Sequence, residues 1–274
     1  MLEVGFFEAD RFLRMEGFHN PKYLPYRTQL VPLAAVMVYL GERWLEPIVR
    51  DKVSRWYWCG ILGELYGGAV ETRIALDLQD ILAWIDHPGT AEPKTIVDAG
   101  FQPSRLDTLR TRTSAAYRGI YVLLQRQGSK DFFWKARMVD LDRDEYKIDI
   151  HHIFPRVWCE VRKIPPRVFN AIVNKTPISY KANRMIGGKA PSRYIEQIQD
   201  HAQVQISEGV MDDILGTHLI DPTSLRKDDF DAFYASRKTL LIKLIEDATG
   251  KTVLPVDTEA PPEDEEDDDG ATED

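Results

Sequence analysis

Residues 147–155 read K-I-D-I-H-H-I-F-P, and residues 171–174 read A-I-V-N. The first stretch alternates polar and apolar side chains from Lys147 to His151, which predicts a β-strand that Pro155 ends. The second stretch is a short β-type run and predicts a second strand. Apolar residues elsewhere recur at helical spacing, so these two stretches mark the part of the chain that departs from a helical pattern.

A short helix is predicted after the second strand. Ser179 is a favourable N-cap, residues 180–186 form the helix, and two glycines follow its end. Strand, long loop, strand and short helix together make a ββα outline. The outline gives four polar residues defined positions: His151 and His152 at the end of the first strand, Asn174 on the second strand and Asn183 on the helix.

The rest of the chain is predicted to be helical. Apolar residues keep a helical period from Ile74 to Ile85, across residues 114–127 and from Phe230 to Ile245. The predicted fold class is therefore mainly α with an embedded ββα unit (α+β). We expect a helical domain of residues 1–130 and a second domain of residues 131–255, which contains the ββα unit and the C-terminal helices.

Acidic residues concentrate at the C-terminal end. From Asp257 onward there are eleven Asp or Glu and no Lys or Arg, so residues 256–274 are predicted to form a disordered acidic tail. Without them, 33 acids remain against 35 bases. We interpret the tail as a solubilising segment. The alternative is a DNA mimic that folds back over a basic surface.

Basic residues concentrate around the histidine pair. Residues 151–190 carry eight Lys or Arg and a single acid, Glu160. Such a cluster suits a nucleic-acid backbone, because each neutralised phosphate releases condensed counterions. The residues predicted to contact DNA phosphates are Arg156, Lys175, Lys181, Arg184 and Lys189.

The four polar residues of the outline have the chemistry to hydrolyse a phosphodiester. That reaction needs a base to activate water, a cation to neutralise the leaving oxygen and positive groups to hold the backbone. Imidazole suits the base, because its unperturbed pKa lies near neutrality. A second imidazole and an amide oxygen can hold one divalent ion beside several waters. Taken alone, the pattern fits a partly buried structural pair of histidines at least as well. A zinc hydrolase is disfavoured, since no H-x-x-x-H or cysteine ligand set accompanies the pair.

Two motifs carry a family resemblance. H-H-I-F-P (151–155) and N-K-T-P-I-S-Y-K-A-N-R-M-I-G-G-K-A-P-S-R-Y (174–194) resemble an HNH (ββα-metal) nuclease motif. They are similar in particular to the C-terminal nuclease domain of GmrSD-type modification-dependent restriction proteins. The nine-residue step from Asn174 to Asn183 resembles the spacing in HNH domains of RNA-guided nucleases.

The resemblance implies a role for each residue. His152 is expected to be the general base, and Asn174 the group that orients it. His151 and Asn183 are expected to be ligands of one divalent metal, Mg²⁺ or Mn²⁺. His151 stands where other HNH branches commonly have Asp, and Asn183 where they have His, which leaves the metal preference open.

The resemblance extends into the first half of the chain. Residues 23–35, 57–73 and 109–121 are similar to the helical second half of the ParB-like N-terminal region in the same proteins. Their Asp-Gly-Gln-Gln-Arg signature does not occur here, so the chain resembles the C-terminal half of a longer enzyme. The implied function is a DNA endonuclease that acts against foreign or modified DNA. The alternative is a catalytically silent DNA-binding or regulatory fragment, which acts with a partner that supplies the missing ParB-like domain.

Composition bears on location. The longest uncharged apolar stretch, from Thr28 to Gly41, contains Pro32 and is too short to span a bilayer. Cys59 and Cys159 are too few for a disulfide framework or a four-cysteine zinc site. We therefore expect no membrane association and a cytoplasmic location.

Overall fold

The computed structural model describes residues 2–68, 70–141 and 143–253. The predicted acidic tail, residues 256–274, lies outside the described residues. Two compact units make up the rest. The first unit contains residues 2–102, 112–122 and 244–253, and the second unit contains residues 103–111 and 123–243. These units interleave along the sequence, whereas the predicted domains are continuous segments that meet at residue 130.

The described residues are mainly helical, in agreement with the predicted class. In chain order the helices are α1 (Leu2–Met15), α2 (Leu30–Leu40), α3 (Pro47–Leu62), α4 (Glu71–Asp86), α5 (Lys94–Asp98), α6 (Arg105–Thr108), α7 (Ala115–Arg126), α8 (Arg143–Tyr146), α9 (Arg156–Val161), α10 (Pro166–Phe169), α11 (Tyr180–Ile186), α12 (Pro191–Gln199), α13 (Glu208–Gly216), α14 (Pro222–Arg226) and α15 (Phe230–Thr249). The strands within this part of the chain are β1 (Asp149–His152) and β2 (Lys175–Ile178). A search of the same residues finds no helix with the length and apolar character that a membrane span requires.

The first unit packs around buried aromatic rings. Trp56, Tyr57 and Trp58 of α3 are all fully buried. Helices α1 and α2 approach each other closely at Gly5. A Cβ atom added to this glycine would stand only 2.6 Å from the carbonyl oxygen of Ala34. Rings of this size each bury roughly 150–250 Å², so the unit has a substantial core of its own.

Local sequence signals placed several helices correctly. The Ile74–Ile85 pattern lies within α4 and the Phe230–Ile245 pattern lies within α15, which ends just before Gly250 at a φ of +63°. Helix α11 has the predicted bounds. The side chain of Ser179 accepts a hydrogen bond from the backbone N–H of Ala182, and Gly187 ends the helix at a φ of +49°. These predictions are confirmed.

The two strands form an antiparallel pair that leads directly into α11. His152 lies opposite Lys175, and His151 lies opposite Thr176. This register fixes the backbone of both histidines against β2. Ser179 alone separates β2 from α11. The order strand, strand, helix therefore agrees with the predicted outline, but the predicted long loop between the strands contains α9 and α10.

The strand boundaries differ from the prediction. The first strand begins at Asp149 because Lys147 adopts a φ of +48°, which is incompatible with an extended strand. The predicted second strand at residues 171–174 is wrong. Residues 172–174 form a 3-10 turn, and β2 begins at Lys175. Residues 171–174 are all buried, so their apolar character reflects core packing and not strand pairing.

The second unit has a core that fixes the chain just after the histidine pair. Phe154 is fully buried, with its ring centroid 5.2 Å from that of Phe230 and 4.9 Å from that of Phe233. The hydroxyl of the buried Tyr194 donates to the carbonyl of Ile153 at 2.9 Å. Helices α12 and α15 therefore hold the end of β1 from the core side.

Candidate functional site

His152 occupies a largely enclosed position at the end of β1. Its Nε2 atom lies 3.0 Å from Oδ1 of Asn170, the residue that ends α10. An amide oxygen only accepts hydrogen bonds, so Nε2 carries the proton and Nδ1 keeps its lone pair. The ring also meets that of Phe169 edge to face, with centroids 6.2 Å apart. One polar and one aromatic contact thus hold the ring.

Burial lowers the pKa of His152 to about 4, and the positive charge of Lys175 on the opposite strand lowers this pKa as well. The hydrogen bond with Asn170 acts in the other direction but is outweighed. The imidazole is therefore neutral at physiological pH. A neutral ring with an available lone pair is the form that can accept a proton.

The Asn174 side chain forms hydrogen bonds with the backbone of the segment between the two strands. Its Oδ1 accepts from the backbone N–H of Phe154 at 2.8 Å, and its Nδ2 donates to the carbonyls of Phe154 and Phe169 at 2.9 and 3.0 Å. Its own carbonyl accepts from the N–H of Ile153 at 2.8 Å. The side chain is fully buried. Asn174 thus contacts the backbone that follows His152, whereas the side chain that hydrogen-bonds to the His152 ring is that of Asn170.

A buried arginine holds the backbone around Asn174. Arg237 of α15 is fully buried, and its Nη1 donates to the carbonyls of Val173 at 2.5 Å and Lys175 at 2.8 Å. Its Nε donates to the carbonyl of His218 at 3.2 Å. Burial lowers the pKa of Arg237 to about 9, which still leaves the guanidinium charged at neutral pH. Nothing in the local sequence around the histidine pair indicates this contact.

His218 of the second unit contacts Thr176 of β2. It is fully buried, its Nε2 donates to the carbonyl of Lys130 at 2.7 Å, and its Nδ1 accepts from the hydroxyl of Thr176 at 2.7 Å. Burial lowers the pKa of His218 to about 3. Thr176, the strand partner of His151, is fixed by this chain of hydrogen bonds.

The predicted metal ligands stand on β1 and α11. His151 is half-buried on β1, and Asn183 is half-buried on α11. Within the described residues, no group of three or more His, Cys, Asp or Glu side chains lies together to hold a metal ion. As ligands, the predicted pair would supply one imidazole nitrogen and one amide oxygen, and an ion would take its remaining ligands from water and substrate.

The five predicted phosphate contacts occupy different environments. Lys175 is half-buried and donates to the carbonyl of Arg110 at 2.9 Å, whereas the other four are exposed. Arg156 pairs with Glu160 at 2.7 Å in a surface ion pair, which is worth little in stability. The remaining three cations lie on or beside α11, where each has a weak local contact: Lys181 over the Phe133 ring, Arg184 over the Tyr180 ring and Lys189 with the Met185 carbonyl.

Comparison with curated proteins finds an archaeal relative. No family model matches the chain, and no solved structure matches it. A curated protein of Methanocaldococcus jannaschii, the uncharacterized protein MJ0686, is 25% identical over 221 residues. The match covers 71% of this chain and 37% of that protein, so the chain spans just over a third of the relative's length. The similarity therefore connects this chain to part of a longer archaeal protein.

Proposed function

We propose that this protein is a metal-dependent DNA endonuclease of the HNH (ββα-metal) type, which hydrolyses phosphodiester bonds. The observation that carries the proposal is the order of elements around the histidine pair. Both histidines end β1, β2 pairs with them, and α11 follows β2 directly with Asn183 on it. The buried amide of Asn174 supports the proposal, because it closes the loop between the strands.

In this proposal His152 is the general base. A base must be unprotonated before it can take a proton from water, and the low pKa of His152 provides that state at neutral pH. The hydrogen bond with Asn170 leaves Nδ1 as the accepting nitrogen. Asn174 acts indirectly in this scheme, since it fixes the backbone of Phe154 two residues after the base.

His151 and Asn183 are the residues that would hold a divalent metal, Mg²⁺ or Mn²⁺. Two protein ligands leave most coordination positions to water and phosphate oxygens, which suits an ion that binds its substrate directly. When bound, the ion supplies positive charge that stabilises the leaving oxygen. A nitrogen ligand in place of a carboxylate favours Mn²⁺ over Mg²⁺ in such a pair.

DNA is the proposed substrate. The exposed cations Lys181, Arg184 and Lys189 lie on or just after α11, the helix that carries Asn183. Phosphate contacts of this kind position a duplex without reading its sequence. We propose that the protein acts in the cytoplasm in defence against foreign or modified DNA.

A second candidate function is a catalytically silent DNA-binding or regulatory fragment. The observation that favours it is that the match covers only 37% of the M. jannaschii protein. In that case a partner protein supplies a ParB-like region, and the basic residues serve binding alone.

Incision of supercoiled plasmid separates the two candidates. The wild-type protein is incubated with plasmid and Mg²⁺ or Mn²⁺, with a chelator control, and DNA binding is measured by gel shift on the same samples. The nuclease proposal expects metal-dependent relaxed or linear product. His152→Ala removes the proposed base, so it should lower the rate of plasmid incision by roughly 10²–10⁴-fold and leave DNA binding intact. The matched control is His87→Ala, which removes an exposed histidine.

Each result has a defined meaning. Binding without incision by the wild-type protein, on modified and unmodified DNA alike, would favour the silent fragment. Equal loss of binding and incision in His152→Ala would identify a structural histidine. If the wild-type protein neither binds nor cuts DNA, both candidates are excluded.

A further inference from the structure

We infer that Asn170 is a positioning residue, which holds the His152 ring so that Nδ1 faces the attacking water. The inference rests on the proposed nuclease function and adds a residue to it. The resemblance assigns the orienting role to Asn174. However, the Oδ1 and both Nδ2 protons of Asn174 are engaged by the backbone of Phe154 and Phe169. Asn170 is the residue whose side chain reaches the ring, at 3.0 Å from Nε2.

The backbone of Asn170 is held in place on both sides. Helix α10 begins with Pro165 at its N-cap and Pro166 at its first position, and proline restricts the φ of both. The N–H of Asn170 donates to the carbonyl of Pro166 at 3.0 Å. The preceding residue, Phe169, is buried, and its carbonyl accepts from Asn174 at 3.0 Å. The amide is therefore preorganised, and little conformational entropy remains to be lost when it orients the ring.

The residue type suits a partner of a general base. A carboxylate at this position would select the same tautomer by accepting from Nε2, but its charge would also raise the pKa of the ring. An amide oxygen fixes the same tautomer and orientation without adding charge. Asn170 thus fixes which nitrogen is the acceptor, while Asn174 fixes the path of the chain.

Two substitutions separate positioning from packing. Asn170→Leu keeps the approximate shape and removes the acceptor, whereas Asn170→Asp keeps an oxygen at the same reach. We expect Asn170→Leu to lower the incision rate constant at saturating DNA by about 10-fold or more, within the 10²–10⁴-fold that a base contributes in total. The KM for DNA should change little. Asn170→Asp should recover much of that loss.

Controls keep the comparison interpretable. Gln203→Leu makes the same kind of replacement at an exposed residue of the second unit and should behave as wild type. Thermal unfolding of each variant reports folding. If Asn170→Leu fails to fold, Asn170→Ala takes its place, because truncation of a partly exposed side chain introduces no overpacking.

A second readout does not depend on activity. Long-range proton–nitrogen NMR of protein labelled with ¹⁵N-histidine shows which ring nitrogen carries the proton, and His152 is assigned from the signals lost in His152→Ala. At neutral pH we expect a proton on Nε2 alone in the wild type. In Asn170→Leu both nitrogen signals should move toward the average of the two tautomers.

The outcomes decide the inference and the proposed function separately. Unchanged nitrogen signals in folded Asn170→Leu would overturn the inference whether or not the protein cuts DNA. Equal rate losses in Asn170→Leu and Asn170→Asp would overturn it too, because they would indicate a packing role. A wild-type protein that shows the expected signals and cuts no DNA would leave the contact established and remove the nuclease proposal.

Discussion

Asn174→Asp is the substitution for which the structure gives the sharpest expectation. The new side chain has almost the same shape, and one oxygen can still accept from the N–H of Phe154. The other oxygen takes the place of Nδ2, which donates to the carbonyls of Phe154 and Phe169. Two attractive contacts therefore become two contacts between oxygen atoms in a fully buried position.

The expected loss of stability follows from these contacts. A buried polar group that loses its hydrogen-bond partner costs about 1–3 kcal/mol, so two carbonyls account for roughly 2–6 kcal/mol. Burial of a carboxylate adds to this cost. We expect the free energy of unfolding to fall by about 4 kcal/mol or more at pH 7. Because the folded state raises the pKa of the new carboxyl above its unfolded value of about 3.9, the deficit relative to wild type should shrink as the pH falls toward 4.

Urea unfolding at pH 7 and pH 5, followed by circular dichroism, measures the deficit. Hydrogen exchange of peptides that cover residues 149–178 shows whether the loss is local to the strands and their loop. Asn20→Asp is the matched control. Its side chain caps a short turn by accepting from the N–H of Lys22, which a carboxylate does equally well. A deficit below about 1 kcal/mol, or one that does not depend on pH, would refute the reasoning.

Further predictions concern other parts of the second unit and the tail. Arg237→Met should lower the free energy of unfolding by roughly 3 kcal/mol or more, since it leaves several buried carbonyls without a donor; urea unfolding measures this. His218 has a pKa of about 3 in the folded state, below its unfolded value of about 6.5. Between these two pH values the unfolded state therefore binds more protons than the folded state. Stability should therefore fall as the pH drops below 6.5, at up to about 1.4 kcal/mol per pH unit, and His218→Gln should reduce that slope. His151→Asp should increase Mg²⁺ affinity relative to Mn²⁺ in calorimetric titrations, because a carboxylate is the harder ligand. Deletion of residues 257–274 should leave DNA affinity unchanged and increase aggregation if the tail only solubilises, whereas tighter binding at low salt would support the mimic.

Local signals explain which elements could be predicted from sequence. The bounds of α11 follow from Ser179 and Gly187, two residues that act on their own neighbours. The second strand was misplaced because an apolar run in a buried 3-10 turn looks the same as one in a strand. Strand pairing distinguishes a strand from such a turn, and it begins only at Lys175, which lies opposite His152. This pairing is a property of the folded chain and cannot be seen in the local sequence.

The contacts that shape the candidate site were less accessible to prediction. Asn170 reaches His152 across 18 positions of sequence, through a loop whose path is set by Asn174 and by α10. An asparagine at a helix end is common and carries no mark of such a contact. Arg237 is more remote still, and no spacing rule connects it to the strands. The resemblance therefore names the candidate residues, and the folded chain adds the groups that contact them.

The contacts of the buried Arg237 guanidinium also affect when the candidate site can assemble during synthesis. Its acceptors at residues 172, 173 and 175 precede it by 62–65 positions. A pair of four-residue strands is marginal in isolation, so the histidine pair has no rigid setting until this helix has left the ribosome and docked. A nascent chain that stalls before residue 237 would carry both histidines and the basic residues around them without the fixed geometry to use them. Translation itself thus delays assembly of the candidate site.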